Sequence, residues 1–267
     1  MENNLKKKMQ SGQYSLGTFI EIGNMNALEA LYNTGLDYVV IDAEHGHFDV
    51  ETISDLIRAA ELNQLTPLVR IGEISRALIQ RVLDAGAMGL IVPGLKTVEE
   101  VRRLVSFAKF PPQGQRGYCP NRASRWGAGD EPGLTLDQSM KAMNDRVLLI
   151  PQCETKELLE VMADVVRIDG VDGVFIGPFD LSISMGMPGQ FKDPRFTEAV
   201  DGIRRIVKKA DKLLMYFSTD PASTGLLAGQ GYDGITLSLD TKVLNTAYKQ
   251  MVKDATRSVI DRSENPN

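Results

Sequence analysis

Cysteine is scarce in this 267-residue chain: Cys119 and Cys153 are the only two, and they form no C-x-x-C pair. That excludes a disulfide scaffold and a thiolate-held zinc site, and two reduced, unpaired thiols are expected. Long hydrophobic runs are absent as well. No stretch approaches 18 uncharged apolar residues, and the polar start with Lys6, Lys7 and Lys8 has no apolar leader core. No membrane partner is expected, and the expected location is the cytoplasm. Positive charge is in deficit, with 30 Lys and Arg against 35 Asp and Glu. A nucleic-acid or anionic-membrane partner would call for a basic face, so a small-molecule substrate is the expectation. Histidine is limited to His45 and His47.

What is present is a repeat. Gly35, Gly86, Gly170 and Gly231 each precede a short apolar run, LDYVVI, AMGLIV, VDGVFI and YDGITL. Each glycine follows a helical pattern and suits its C′ position, and the run after it reads as a strand apolar on both faces. Such strands belong to parallel sheets covered by helices. Four further runs, 16–20, 67–71, 147–151 and 213–217, bring the number to eight. Segments 50–62, 75–85, 98–108, 155–165 and 197–210 carry apolar residues at helical spacing. Eight alternating units over this length, with 43% apolar residues, predict one (β/α)₈ TIM barrel spanning residues 1–267. An open doubly wound sheet is the structural rival. A C-terminal helix is expected over about 240–256 and a frayed tail from Arg262. The irregular stretch 110–134 is rich in Pro and Gly and is expected to be a functional loop, with a disordered insertion as the alternative.

Barrel enzymes draw their chemistry from the C-terminal ends of strands. There the sequence places Asp42, Glu44, His45 and His47, then Arg70, then Gln152 and Glu154, then Gly177, Pro178 and Asp180. Glu154 and Asp180 suit a hard divalent cation, although Asp180 alone would equally serve as a first-turn helix acid. Arg70 ends an apolar strand and would meet a developing enolate or, alternatively, form an ion pair with Asp42 or Glu44. His45, three residues after Asp42, is read as a general base whose tautomer Asp42 fixes. Its spacing to His47 also fits a metallohydrolase site, which would want further histidines at later strands. Gly177 gives a ligand room to approach the backbone, or serves a turn only. No strand run contains a lysine for a Schiff base.

Taken together, Asp42-Ala-Glu-His45, Leu68-Val-Arg70, Pro111-Pro-x-Gly-x-Arg116-Gly, Gln152-x-Glu154-Thr and Gly170-VDGVFIGPFDLS resemble the HpcH/HpaI family of metal-dependent pyruvate aldolases. The resemblance covers roughly residues 15 to 240. It implies a barrel of the phosphoenolpyruvate/pyruvate type, a bound Mg²⁺, Mn²⁺ or Co²⁺, and a homohexamer with exchanged C-terminal helices. It further implies cleavage of 4-hydroxy-2-oxo acids to pyruvate and an aldehyde. By position, Glu154 and Asp180 would ligate the metal, Gln152 would contact pyruvate, and Arg70 would stabilise the enolate oxygen. His45 with Asp42 would move the proton, while Gly177 and the backbone of Phe179 would hold the pyruvate carboxylate. Phe179 departs from the alanine of well-known members, so substrate does not carry over. Arg122 and Arg125 are candidates for a distal carboxylate of the acceptor, reaching a neighbouring subunit. The rivals are an acyl-CoA-cleaving lyase of the related branch and a non-catalytic barrel that binds a keto acid.

Overall fold

A computed structural model describes residues 3–128 and 133–264. Eight parallel strands close into a barrel in chain order: β1 (Ser15–Ile20), β2 (Tyr38–Ala43), β3 (Thr66–Ile71), β4 (Gly89–Val92), β5 (Leu148–Cys153), β6 (Gly173–Ile176), β7 (Leu213–Ser218) and β8 (Gly234–Leu239). Around and beneath them run α1 (Asn4–Gln10), α2 (Met25–Glu29), α3 (Val50–Leu62), α4 (Arg76–Asp84), α5 (Val98–Ala108), α6 (Leu136–Arg146), α7 (Lys156–Glu160), α8 (Met162–Val165), α9 (Pro178–Ser184), α10 (Pro194–Lys209), α11 (Thr224–Gly229) and α12 (Asp240–Glu264). The closed barrel excludes the open-sheet rival.

The period-two alternation of a strand sorts its residues between two cores. Tyr38 and Val40 of β2, Leu68 of β3, Leu148 and Ile150 of β5, and Phe175 of β6 fill the barrel interior. Val39, Ile41, Val69, Leu149 and Val174 face outward beneath the helices. The parity of 38 and 40 turns Asp42 inward at the top of β2, and the same count turns in Arg70, Gln152 and Phe217. Ser238 breaks the alternation. Its left-handed backbone (φ 57°) and the register shift against β1 swing Leu239 to the interior side.

The four repeat glycines do end their helical segments with left-handed backbone, at φ 85°, 110°, 93° and 87° for Gly35, Gly86, Gly170 and Gly231. The starts are capped by Asp49, Ser75 and Thr97, the last in a reciprocal box with Glu100. The N-terminal mouth is plugged by α1. Its Leu5 and Met9 are buried in the interior core, and the Asn3 amide donates to the carbonyls of Met88 (3.0 Å) and Arg146 (2.8 Å). The other mouth is left for a ligand.

Three expectations change. The helix expected over 155–165 is two short ones, α7 and α8, broken at Val161. The described part of the stretch 110–134 lies between α5 and α6, ahead of β5, and so sits on the N-terminal face, away from the strand ends. That part is tied down: Arg116 is buried beneath the Phe110 ring (4.6 Å) and bonded to Asp84 (2.7 Å), and a 3₁₀ turn spans Arg122–Gly127. Residues 129–132 of that stretch fall outside the described residues. The C-terminal helix runs through Glu264, beyond the expected start of fraying at Arg262, and the end of that tail, 265–267, lies outside the described residues.

Packing in the interior leaves no slack at Gly17, where a Cβ would stand 2.3 Å from the buried Tyr38 ring. That ring is fixed by a 2.8 Å hydrogen bond between its hydroxyl and Thr236. Gly17→Ala is expected to cost about 1–3 kcal/mol through overpacking, read as a thermal midpoint lowered by roughly 3–10 °C. An unchanged midpoint would show that the ring can step aside.

Candidate active site

Asp42 is fully buried, and Arg70 is 8% exposed. The guanidinium clasps the carboxylate in a fork, Nε to Oδ1 at 2.9 Å and Nη2 to Oδ2 at 2.6 Å. Burial works against the charge on Arg70, but the bonds and charges of Asp42, with Glu44 and Glu154 beyond, overrule it and raise its pKa. Arg70 is therefore a fixed cation at the pocket floor, set 4.5 Å over the Phe19 ring.

The pairing of Asp42 with His45 is corrected by this geometry. Asp42 spends its carboxylate on Arg70 and on the backbone N–H groups of Glu44 and His45, at 3.2 and 3.4 Å. The His45 imidazole is largely exposed, and its Nε2 lies 3.6 Å from Glu44. Glu44, to which the sequence reading gave no role of its own, also stands 3.3 Å from Arg70 Nε. Its Oε2 is buried and lacks a hydrogen bond. Half-burial pushes its carboxyl pKa up; Arg70 and His45 oppose that, and Asp42 and Asp180 add to it. The ion-pair alternative for Arg70 is thus the one the structure displays.

Glu154 is 7% exposed at the end of β5. Its Oε1 accepts from the Gly94 N–H at 2.7 Å, and its Oε2 accepts from the Gln152 amide. Burial pushes its pKa upward against those two bonds, and Asp180 and Glu44 push the same way. Asp180 is exposed on the first turn of α9, and the buried Gln152 Oε1 has no partner. Among the described residues no three His, Cys, Asp or Glu side chains form a metal-holding group. Two carboxylates beside an unpartnered carboxamide oxygen nevertheless fit a magnesium-like ion that keeps places for substrate and water.

Gly177 is needed for room. A Cβ there would lie 2.9 Å from Gln152 Nε2 and 3.0 Å from Glu154 Oε2. Its φ of −95° suits any residue, so the constraint is steric. Its N–H goes to the Cys153 carbonyl at 3.2 Å, which corrects its expected role as donor to a carboxylate. The N–H of Phe179, at the second position of α9, is one of the helix's first four and has no intrahelical acceptor. Gly177→Ala is expected to leave the thermal midpoint unchanged and to lower the turnover of any reaction using Glu154 by roughly 10–100-fold. Steady-state kinetics with a melting curve checks both halves.

A cavity of about 150 Å³ opens over these groups. It is lined by the polar groups of His45, Arg70, Gln152 and Asp180 and by the apolar side chains of Phe19, Phe175, Phe179, Phe217 and Leu239. The sequence reading missed Phe19, Phe217 and Leu239. The first two sit at strand ends with inward parity and were legible, whereas Leu239 depends on the kink at Ser238. Arg122 does not reach this cavity. It pairs with Glu61 and donates to the Ala85 carbonyl (3.0 Å) on the N-terminal face, and Arg125 borders the same small cleft there. Neither serves the chain's own strand-end pocket.

The family model described as HpcH/HpaI aldolase/citrate lyase matches residues 15–247. A 2-keto-3-deoxy-L-rhamnonate aldolase of Salmonella gallinarum is 30% identical over 92% of this chain and 91% of its own. The crystal structure of an HpcH/HpaI aldolase from Desulfitobacterium hafniense superposes with a TM-score of 0.87 at 30% identity, covering 94% of this chain and 96% of that one. The citrate synthase SbnG follows at 0.85 and 28%, covering 95% and 98%. The chain belongs to the HpcH/HpaI aldolase/citrate lyase family. It is a lyase of the aldolase kind with a TIM-barrel fold. Among the described residues no helix is long and apolar enough to cross a membrane.

Proposed function

We propose that the chain cleaves 4-hydroxy-2-oxo acids to pyruvate and an aldehyde, and runs the reverse addition, through a pyruvate enolate. The observation that carries this is Arg70, a buried cation fixed by Asp42 beside the buried Glu154–Gln152 pair. A divalent ion, Mg²⁺, Mn²⁺ or Co²⁺, would be held by Glu154 and Asp180 and would supply the further positive charge that lowers the cost of the enolate. Gln152 and the N–H of Phe179 orient the keto acid, and Gly177 leaves room for it. In cleavage, His45 takes the C4 hydroxyl proton, directly or through one water. The C3–C4 bond then breaks, its electron pair forming the C2–C3 double bond while C2 oxygen takes the charge beside Arg70. The aldehyde departs, and C3 accepts a proton to give pyruvate. Preorganised charge of this kind in a water-poor pocket is the largest common source of rate enhancement.

Pyruvate release from 4-hydroxy-2-oxopentanoate or 4-hydroxy-2-oxoheptanedioate tests the proposal. Release that stops with EDTA, returns with Mn²⁺ and leaves no borohydride-trapped adduct is the expected result. None of the eight strands carries a lysine. Trapping of an adduct would contradict the proposal, as would activity confined to CoA thioesters.

The proposal extends to assembly. Leu244, Tyr248, Met251 and Val252 recur at helical spacing on α12 and are 49–64% exposed. A second copy of this chain covers them, in the homohexamer that the family resemblance implies. Light scattering is expected to give six times 29.4 kDa, and Leu244→Ser with Tyr248→Ser is expected to lower that mass. A monomer in the unaltered protein would overturn this assignment.

A further inference from the structure

We propose that Phe48 is a positioning residue for His45: its ring, seated between Gly23 and Gly46, holds the turn after β2 that carries the imidazole to the pocket. The inference rests on the aldolase reading, in which His45 takes the C4 hydroxyl proton.

His45 needs such support because its side chain has little of its own within the chain. The imidazole is 63% exposed, and its ionic neighbour, Glu44, stands 3.6 Å away, beyond hydrogen-bond reach. The backbone of the turn therefore sets its place. Asp42 fixes that turn at its start: its carboxylate accepts from the N–H groups of Glu44 and His45, and its carbonyl accepts from the Gly46 N–H at 3.0 Å. Phe48 fixes the turn at its end.

A Cβ on Gly46 would lie 2.7 Å from Cε2 of the Phe48 ring and would also strike the Asp42 carbonyl oxygen. A Cβ on Gly23, in the loop after β1, would lie 2.8 Å from Cε1 of the same ring. Neither glycine has a left-handed backbone, so what each supplies is room, and two backbones reach the two edges of one ring. The Gly23 side is anchored in turn. Asp240, at the start of α12, accepts from the N–H groups of Glu21 and Ile22 at 3.0 Å each, and the Thr241 hydroxyl donates to the Glu21 carboxylate at 2.7 Å. Phe48 also packs on the core beneath the helices. A hydrophobic residue just before an N-cap commonly does no more than staple its own helix, and Asp49 does cap α3. The two glycine contacts of Phe48 lie outside α3, one on the His45 turn and one on the loop of another strand.

Pyruvate release from 4-hydroxy-2-oxopentanoate with Mn²⁺ present, compared among the unaltered protein, His45→Ala, Phe48→Ala and the double variant, tests the proposal. Phe48→Ala is expected to lower kcat by about 10–100-fold with KM little changed, as a small displacement of a reacting group does. Its thermal midpoint is expected to rise with Mn²⁺ as that of the unaltered protein does. Added to His45→Ala, the same change is expected to cost almost nothing, because a residue that acts through the imidazole then has nothing to position. Gly23→Ala crowds the ring without touching the His45 turn; it is expected to give the same results and serves in place of Phe48→Ala if that variant does not fold. An equal loss of rate in both backgrounds would overturn the proposal, as would an unaltered kcat in Phe48→Ala or a His45→Ala protein as fast as the unaltered one. No pyruvate release by the unaltered protein, from this acid or from 4-hydroxy-2-oxoheptanedioate, would overturn the aldolase reading and this proposal with it.

Discussion

Arg70→Ala is expected to lower kcat by at least about 10²-fold and also to destabilise the fold, because on the proposed mechanism one guanidinium serves both purposes. The removed group is the fixed cation expected beside the enolate oxygen, a preorganised charge whose loss typically costs that much. It is also the partner of Asp42, which is fully buried. Stranding a buried charge costs about 3–5 kcal/mol, equivalent to a thermal midpoint lower by roughly 10 °C in a chain of this size. The double replacement Arg70→Met, Asp42→Leu separates the two effects. It is expected to recover much of the midpoint, since neither charge remains buried and unpaired, and to recover none of the rate. Recovery of rate would mean that Arg70 acts only as a structural partner.

Glu154→Gln is expected to lower turnover on the order of 10³-fold while leaving the metal-free protein at least as stable. Burial already pushes the Glu154 carboxyl upward in pKa, so its ionised form is held at a cost when nothing offsets it. A neutral side chain of the same shape removes that cost and keeps the Gly94 bond. The decisive readout is independent of activity. A ligand bound to the native state at 100 times its dissociation constant stabilises by about 2.7 kcal/mol. Added Mn²⁺ should therefore raise the midpoint of the unaltered protein and leave that of Glu154→Gln where it was. A rise of equal size in both would place the ion elsewhere.

Much of the barrel was legible because its repeat has one physical cause. A helix that ends on a left-handed glycine and feeds a strand apolar on both faces is a local pattern, and Gly35, Gly86, Gly170 and Gly231 each display it. The strand-end rule then located Asp42, Arg70, Gln152, Glu154 and Gly177 near one another from sequence alone. Partner choice was not legible. Asp42 lies three residues from His45 and 28 from Arg70, so closeness in sequence favoured the imidazole; the pairing of β2 with β3, which sets Asp42 opposite Arg70, decided otherwise. The described part of the stretch 110–134 lies away from the chain's own strand-end pocket for a topological reason. A segment that follows a helix opens on the barrel's other face, so Arg122 and Arg125 are set apart from the strand ends of their own barrel. The break at Val161 and the turn of Leu239 into the interior rest on local backbone at one residue each, and spacing does not report that.

On the proposed mechanism, the groups around Arg70 and Glu154 stabilise a pyruvate enolate with a divalent ion in place. Deuterium exchange into the pyruvate methyl group, followed by NMR without any acceptor aldehyde, tests it most directly. Exchange that disappears with EDTA, returns with Mg²⁺, Mn²⁺ or Co²⁺ and is lost in Glu154→Gln is the predicted result. Exchange that persists without metal, or none under any of these conditions, would contradict the account.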